Sequence, residues 1–161
     1  DRVRPQQNRL RKALQQISDQ YDFCVVDNAP DINISVINAL TAANDVLIPV
    51  EVDDNTLEGM KELLEQIEEV KEELNPELQN VKCFISKYQR LNEAHTQGAD
   101  VIQDCYPTMD TRIRASAVVA RSTFARIPVA LYSPRSAAAE DYEKLVNEYL
   151  NMIGGDENGE I

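Results

Sequence analysis

The segment "YDFCVVDNAP", residues 21–30, contains the feature on which the fold prediction rests. Its apolar run, Phe23 to Val26, does not alternate with polar residues, which predicts a strand over 22–27 that is buried on both faces of a sheet. Asp27 follows at the position where open α/β sheets present polar groups to ligands. Spacing alone leaves two interpretations of Asp27: a carboxylate that holds Mg²⁺ through water or orients a nucleophile, or a side chain that only caps the next turn.

Helical and strand patterns alternate along the rest of the chain. Amphipathic spacing predicts helices over 6–19, 32–43, 55–74, 92–103, 114–125 and 136–152. Short apolar runs predict strands over 45–52, 81–86 and 128–132, with a further short strand within 109–114. This order predicts an α/β fold, a mainly parallel sheet with helices on both faces. We expect a single α/β domain over 1–152 and a disordered polar tail over 153–161.

Composition excludes several classes of protein. The 161 residues carry a net charge of −12, which argues against bulk attraction to nucleic acid or to a membrane. No apolar run approaches the length of a membrane span. The single histidine, His95, removes most metal sites and most catalytic triads from consideration. The acids Glu51, Asp53 and Asp54 fit a metal cluster less well than a solvated loop followed by helix N-terminal acids.

One segment reverses the sign of the overall charge. Five arginines and no acid lie between Thr111 and Arg135; the arginines are Arg112, Arg114, Arg121, Arg126 and Arg135. Such a segment suits contacts with the phosphates of DNA or of a nucleotide. The alternative is that these arginines pair with the acidic long helix on the protein surface. Charge patterning alone does not separate the two.

The chain lacks a glycine-rich phosphate-binding loop. None of its five glycines lies between a strand and a helix with a following Lys-Thr or Lys-Ser pair. On its own, the chain is therefore not expected to hold a triphosphate in the P-loop manner.

The order of motifs resembles that of ParA/MinD-type (ParA/Soj-like) partitioning ATPases. Residues 10–60, "LRKALQQISDQYDFCVVDNAPDINISVINALTAANDVLIPVEVDDNTLEGM", are similar to the middle of that family. The turn Asp27-Asn28-Ala29-Pro30 stands for the family's Asp-x-Pro-Pro, with Ala29 in place of the first proline. Residues 127–150, "IPVALYSPRSAAAEDYEKLVNEYL", resemble the family's C-terminal segment. The resemblance covers roughly residues 8–150 and implies a truncated P-loop NTPase fold of the deviant Walker A type.

The resemblance also implies roles for particular residues. Asp27 would be the catalytic carboxylate that contacts Mg²⁺ through water. Nucleotide contacts would come from two segments, Ser86, Lys87 and Tyr88 in one and Ser133 and Pro134 in the other. DNA contacts would come from Arg112, Arg114, Arg121 and Arg126. ATP and Mg²⁺ would be cofactors of the full-length protein, and neither is expected in this chain alone.

What the resemblance implies for function is ATP-dependent homodimerisation, nonspecific DNA binding and stimulation by a centromere-binding ParB-like protein. The cargo would be a plasmid, a chromosome or a mobile element, in a cytoplasmic, nucleoid-associated setting without a membrane. The acidic end "NMIGGDENGEI" argues against a membrane-targeting, MinD-type member.

The family's Walker A loop, signature lysine and switch I aspartate all precede the segment that matches. Two hypotheses follow: the chain is the C-terminal part of a longer ATPase, or it is a non-enzymatic remnant that acts as a dimerisation or protein-interaction module.

Overall fold

The computed structural model describes residues 7–29, 33–53 and 56–154. The sequence predictions on Pro30, Asp54, Asn55 and the tail beyond Gly154 lie outside these residues. The helices are α1 Arg9–Leu14, α2 Ile34–Ala42, α3 Thr56–Leu74, α4 Glu93–Cys105, α5 Ala117–Ala125, α6 Val129–Tyr132 and α7 Ala137–Gly154, with a 3-10 turn at Ser18–Gln20. The strands are β1 Asp45–Glu51 and β2 Asn80–Ser86. None of the described helices is long and apolar enough to cross a membrane.

The described residues divide into two compact units. The first contains the chain up to Val46 together with Glu58–Val81, and the second contains Leu47–Leu57 and the chain from Lys82 onward. The predicted single domain over 1–152 stays a prediction. The predicted α/β class with parallel strands is confirmed.

The side chain of Asn75 forms hydrogen bonds with several segments of the first unit. Its side chain is fully buried at the end of α3, and its Nδ2 donates to the carbonyls of Leu40 at 2.8 Å and Ala43 at 2.7 Å, which close α2. Its Oδ1 accepts from Arg11 of α1 at 2.9 Å. One amide therefore satisfies groups from three helical segments, as a buried polar group must.

The apolar run after α1 is not the buried strand that the sequence predicts. Residues 21–29 form no strand or helix, and the side chain of Val25 is 92% exposed. A strand becomes regular by hydrogen bonding to a neighbouring strand, and β1 and β2 pair only with each other among the described strands. The prediction of a strand over 22–27 is therefore wrong for this chain, and Phe23 is also exposed.

The second unit is built around β2, which has neighbours on both sides. β1 pairs with it on one side, where Pro49 occupies the edge position expected of a strand proline. On the other side, residues 107–115 run parallel to β2 through isolated bridges at Cys83–Thr108 and Tyr88–Arg114. The N–H groups of Met109 and Ile113 donate to the carbonyls of Cys83 and Ile85. Three residues lie between the two donors and only one between the two acceptors, so a local bulge interrupts the predicted short strand.

Two positions explain local features of this unit. Gly98 lies inside α4, where an added Cβ would come within 2.5 Å of Val52 Cγ1, so the close approach of helix and chain requires glycine there. Cys83 is buried in β2, and burial raises the pKa of its thiol to about 11. The thiol is therefore neutral and packs as a small apolar group.

The predicted strand over 128–132 is wrong, because these residues form the short helix α6. Pro128 stands at its N-cap with φ −53°, and its carbonyl accepts from the N–H groups of Leu131 at 2.9 Å and Tyr132 at 2.8 Å. The proline ring fixes a φ that suits a helix start. The predicted helix over 114–125 begins later, at Ala117, because the Ser116 side chain caps it.

Candidate functional site at the carboxyl end of β2

The loop after β2 holds the first predicted nucleotide segment, Ser86 to Tyr88. Lys87 has φ 51°, in the left-handed region, which is uncommon for a residue other than glycine and occurs often at functional positions. Its Nζ forms an ion pair with Glu51 at the end of β1. The carboxyl ends of the two paired strands are thus joined by a charged contact.

The side chain of Tyr88 contacts both Thr96 and Arg112. Its hydroxyl lies 3.3 Å from Thr96 Oγ1, and its ring centroid lies 5.1 Å from Arg112 Cζ, a cation–π distance. The hydrogen bond with Thr96, and then the contacts with Arg112, hold the pKa of the Tyr88 phenol below its ordinary value, against the opposing effect of desolvation. The aromatic face is therefore fixed beside the loop.

Arg112 and Arg114, both predicted to contact DNA, are engaged within the second unit. Arg112 donates to Asp100 Oδ1 at 2.6 Å and from Nε to Gln103 Oε1 at 3.1 Å. Arg114 donates from Nε and Nη2 to the two carboxylate oxygens of Asp141, each at 2.7 Å. The partners lie on α4 and α7 rather than on the long acidic helix α3 that the sequence suggested.

Asp141 is the buried half of the second pair, at 5% exposure. It also accepts from the backbone N–H of Arg114 at 3.0 Å. Burial alone would raise the pKa of this carboxyl, but the hydrogen bonds from Arg114 outweigh it and leave the pKa below its ordinary value. Sequence reasoning missed Asp141, because nothing in the pattern links residues 27 positions apart.

Arg121 and Arg126 differ from the first two arginines. Both are exposed, and within the described residues no hydrogen bond or ion pair involves either guanidinium. Arg126 has φ 54° and ends α5 as a left-handed cap, while Ile127 N–H closes the turn on the carbonyl of Ser122 at 3.1 Å. These two guanidinium groups are therefore available to an anionic partner.

A cleft of about 480 Å³ opens beside Tyr88. It is lined by Tyr88, Gln89, Arg90, Leu91, Asn92, Arg114 and Ala115. It brings together one predicted nucleotide-binding residue, Tyr88, and one predicted DNA-binding residue, Arg114. Sequence reasoning missed Arg90 and Asn92, which lie two and four positions after Tyr88.

The remaining predicted residues lie elsewhere. Ser133 and Pro134 form the turn before α7, where the Ser133 carbonyl accepts from Ser136 Oγ at 2.7 Å. In the described part of the chain no hydrogen bond joins this turn to Ser86, Lys87 or Tyr88. Asp27 belongs to the first unit and is exposed. Across residues 7–29, 33–53 and 56–154, no three His, Cys, Asp or Glu side chains form a group that could hold a metal ion.

Comparison with known proteins gives the class of the fold and the family that the chain resembles. A family model described as "AAA domain" matches residues 2–80. The chain is 30% identical over 147 residues to the cell division protein PomZ of Myxococcus xanthus, covering 90% of this chain and 46% of that protein. It is 31% identical over 147 residues to the chromosome partitioning protein ParA of Caulobacter vibrioides, covering 89% and 55%. Among solved structures, cobyrinic acid a,c-diamide synthase of Mycobacterium smegmatis with a bound ATP analog and magnesium superimposes with a TM-score of 0.76 at 20% identity, over 92% of this chain and 55% of that one.

The chain thus has an α/β fold similar to that of the P-loop NTPases. The chain resembles ParA-like partitioning ATPases over about 90% of its length. It spans about half the length of the curated relatives that it matches.

Proposed function

We propose that this chain is the C-terminal part of a ParA-like ATPase that acts in the partitioning of plasmid, chromosomal or mobile-element DNA. The observation that carries the proposal is the exposed apolar run Phe23–Val26 directly before Asp27. Its composition suits a buried strand, and a part of the protein outside these residues would supply the neighbouring strands and the phosphate loop. Asp27 would then act on Mg²⁺ and the attacking water of bound ATP.

Nucleotide contacts are proposed for the carboxyl end of β2. Tyr88 offers a fixed aromatic face for a base, and the neighbouring Lys87 side chain is already paired with Glu51. Ser133 and Pro134 are proposed as the second segment near the base. In the full-length protein, ATP would promote homodimerisation, and a ParB-like partner would stimulate hydrolysis.

The first test is ATP turnover together with amide hydrogen exchange on the 161-residue chain. We expect no turnover above the no-protein background, since the chain has no phosphate-binding loop. The amides of Phe23–Val26 should exchange rapidly, while those of Cys83 and Ile85, which belong to a hydrogen-bonded strand, should be protected. Measurable turnover by this chain, or protection of Phe23–Val26 comparable to that of β2, would contradict the proposal.

DNA binding is proposed for the basic segment 111–135 through Arg121 and Arg126, whose guanidinium groups form no hydrogen bond or ion pair with a described residue. Each phosphate contact contributes about −0.9 to the slope of log K against log salt. We therefore expect Arg121→Ala with Arg126→Ala to reduce the magnitude of that slope by up to about 2 and to weaken binding at about 50 mM salt. The measurement is fluorescence anisotropy of a labelled duplex over a salt series.

The matched control is Lys61→Ala, which also removes one exposed positive charge but from the acidic helix α3. It should leave the slope unchanged. An unchanged slope in the double arginine variant would remove this segment from the DNA interface. Substitutions of Arg112 or Arg114 are unsuitable for this test, because they also break the contacts with Asp100 and Asp141.

A further inference from the structure

The region around the turn between α5 and α6 exposes four large apolar side chains. Phe124 is 95% exposed and Leu131 is 75% exposed. Ile127 and Tyr132 are also exposed, and we call these four residues the α5–α6 surface. Soluble proteins seldom leave large apolar side chains clustered in water unless they mark an interaction site.

The α5–α6 surface is flanked by positive charge. Arg121 lies one helical turn before Phe124, and Arg126 and Arg135 follow within the same acid-free segment. Aromatic side chains accompanied by arginine are typical of the energetic centres of protein interfaces. A partner of this surface should therefore present apolar side chains next to carboxylates.

The same chain carries a surface of that description on α7. Val146 and Leu150 are exposed large apolar residues, and Glu143 precedes them at helical spacing, so that all three lie on one face of the helix. Glu143 is exposed, and among the described residues it forms no ion pair. We call Glu143, Val146 and Leu150 the α7 stripe.

We propose that two copies of this chain associate without nucleotide, with the α5–α6 surface of each copy docked on the α7 stripe of the other. Because both halves of the contact are present on every copy, a two-fold arrangement uses each half once and closes as a dimer. Attraction between Arg121 of one copy and Glu143 of the other would fix how the two surfaces align. Six large exposed side chains from each copy suffice for an interface of the order of 1,200 Å² in total.

The proposal goes beyond the ATP-dependent dimer of the full-length protein, and its test contains no nucleotide. The experiment is sedimentation equilibrium of the 161-residue chain from about 1 to 100 µM after nuclease treatment. We expect a monomer–dimer equilibrium that weakens with salt. Phe124→Ser with Leu131→Ser, and separately Val146→Ser with Leu150→Ser, should each weaken association by about tenfold or more.

The control is Phe23→Ser with Val25→Ser, which removes two exposed apolar side chains from outside the proposed interface. It should leave the dimer affinity unchanged, and circular dichroism of every variant should match that of the native chain. Glu143→Arg should weaken association and, when combined with Arg121→Glu, should recover part of the loss.

Four outcomes would overturn the proposal. They are a monomer at every concentration, association that disappears with nuclease treatment, weakening only in the Phe23 and Val25 variant, and growth beyond two copies. The second would assign the arginines to DNA. The third would place self-association on the unpaired segment of the first unit.

Discussion

Asn75→Ala is expected to lower the free energy of unfolding by about 3 kcal/mol, the largest effect of any single substitution proposed for this chain. The variant removes the Asn75 donor from the carbonyls of Leu40 and Ala43, and the Leu40 carbonyl then keeps the N–H of Ala43 at 3.3 Å. A buried polar group that loses its partner costs about 1–3 kcal/mol. It also removes the acceptor of Arg11. For a chain of this size the midpoint of thermal unfolding should fall by roughly 10 °C.

The measurement is urea or thermal unfolding followed by circular dichroism at 222 nm. The matched control is Glu77→Ala, which removes the other partner of Arg11, at 2.7 Å. That contact is exposed, so the control should cost less than about 1 kcal/mol. Equal costs for the two variants would show that the buried amide does not hold α2 and the end of α3 together.

Asp141→Ala is expected to cost about 2 kcal/mol, because it removes the three hydrogen bonds that Arg114 donates to a buried carboxylate. The cost is held below that of Asn75→Ala because the Arg114 side chain is 40% exposed and regains water when its partner is lost.

The pair of Asp141 and Arg114 also makes the stability of the native chain depend on pH in the acid range. The pKa of Asp141 is lower in the folded chain than in the unfolded one. Its contribution to stability is therefore complete above the ordinary aspartate pKa, near 4, and is lost as the pH falls through the folded-state value. Unfolding measured between about pH 7 and pH 3 should show a smaller loss of stability in Asp141→Ala than in the native chain.

The control for Asp141 is Asp104→Ala, which removes an exposed carboxylate from α4. It should change stability by less than about 0.5 kcal/mol and leave the acid dependence intact. A native chain and Asp141→Ala variant with the same pH profile would disprove the role given to the pair with Arg114.

Local pattern predicts the helices α3 and α4 and the strands β1 and β2, because their periodicities persist within each element. It fails for two segments, one for want of a pairing strand and one because of a proline within it. Residues 22–27 have the composition of a strand but no strand to pair with among those described, and residues 128–132 have strand-forming side chains but a proline positioned to start a helix.

The sequence likewise predicts some features of the candidate site and not others. The strand-end rule indicates that residues 86–88 should lie where polar groups meet. The structure places Tyr88 in the lining of the cleft and pairs Lys87 with Glu51 at the end of β1. The rule does not reveal which arginines are occupied. Arg114 and Arg121 are equivalent in charge patterning, yet only the first has a buried carboxylate from α7 against it.

The exposed stretch from Tyr21 to Ala29 also bears on how long this chain survives in a cell. An exposed apolar segment that pairs with no described strand is open to proteolysis and to intermolecular β-pairing. Cleavage there would separate α1 from α2, although Arg9 and Leu10 remain bonded to the Asn38 side chain. Turnover of the polypeptide would then depend on whether another protein segment covers these nine residues, rather than on the stability of either compact unit.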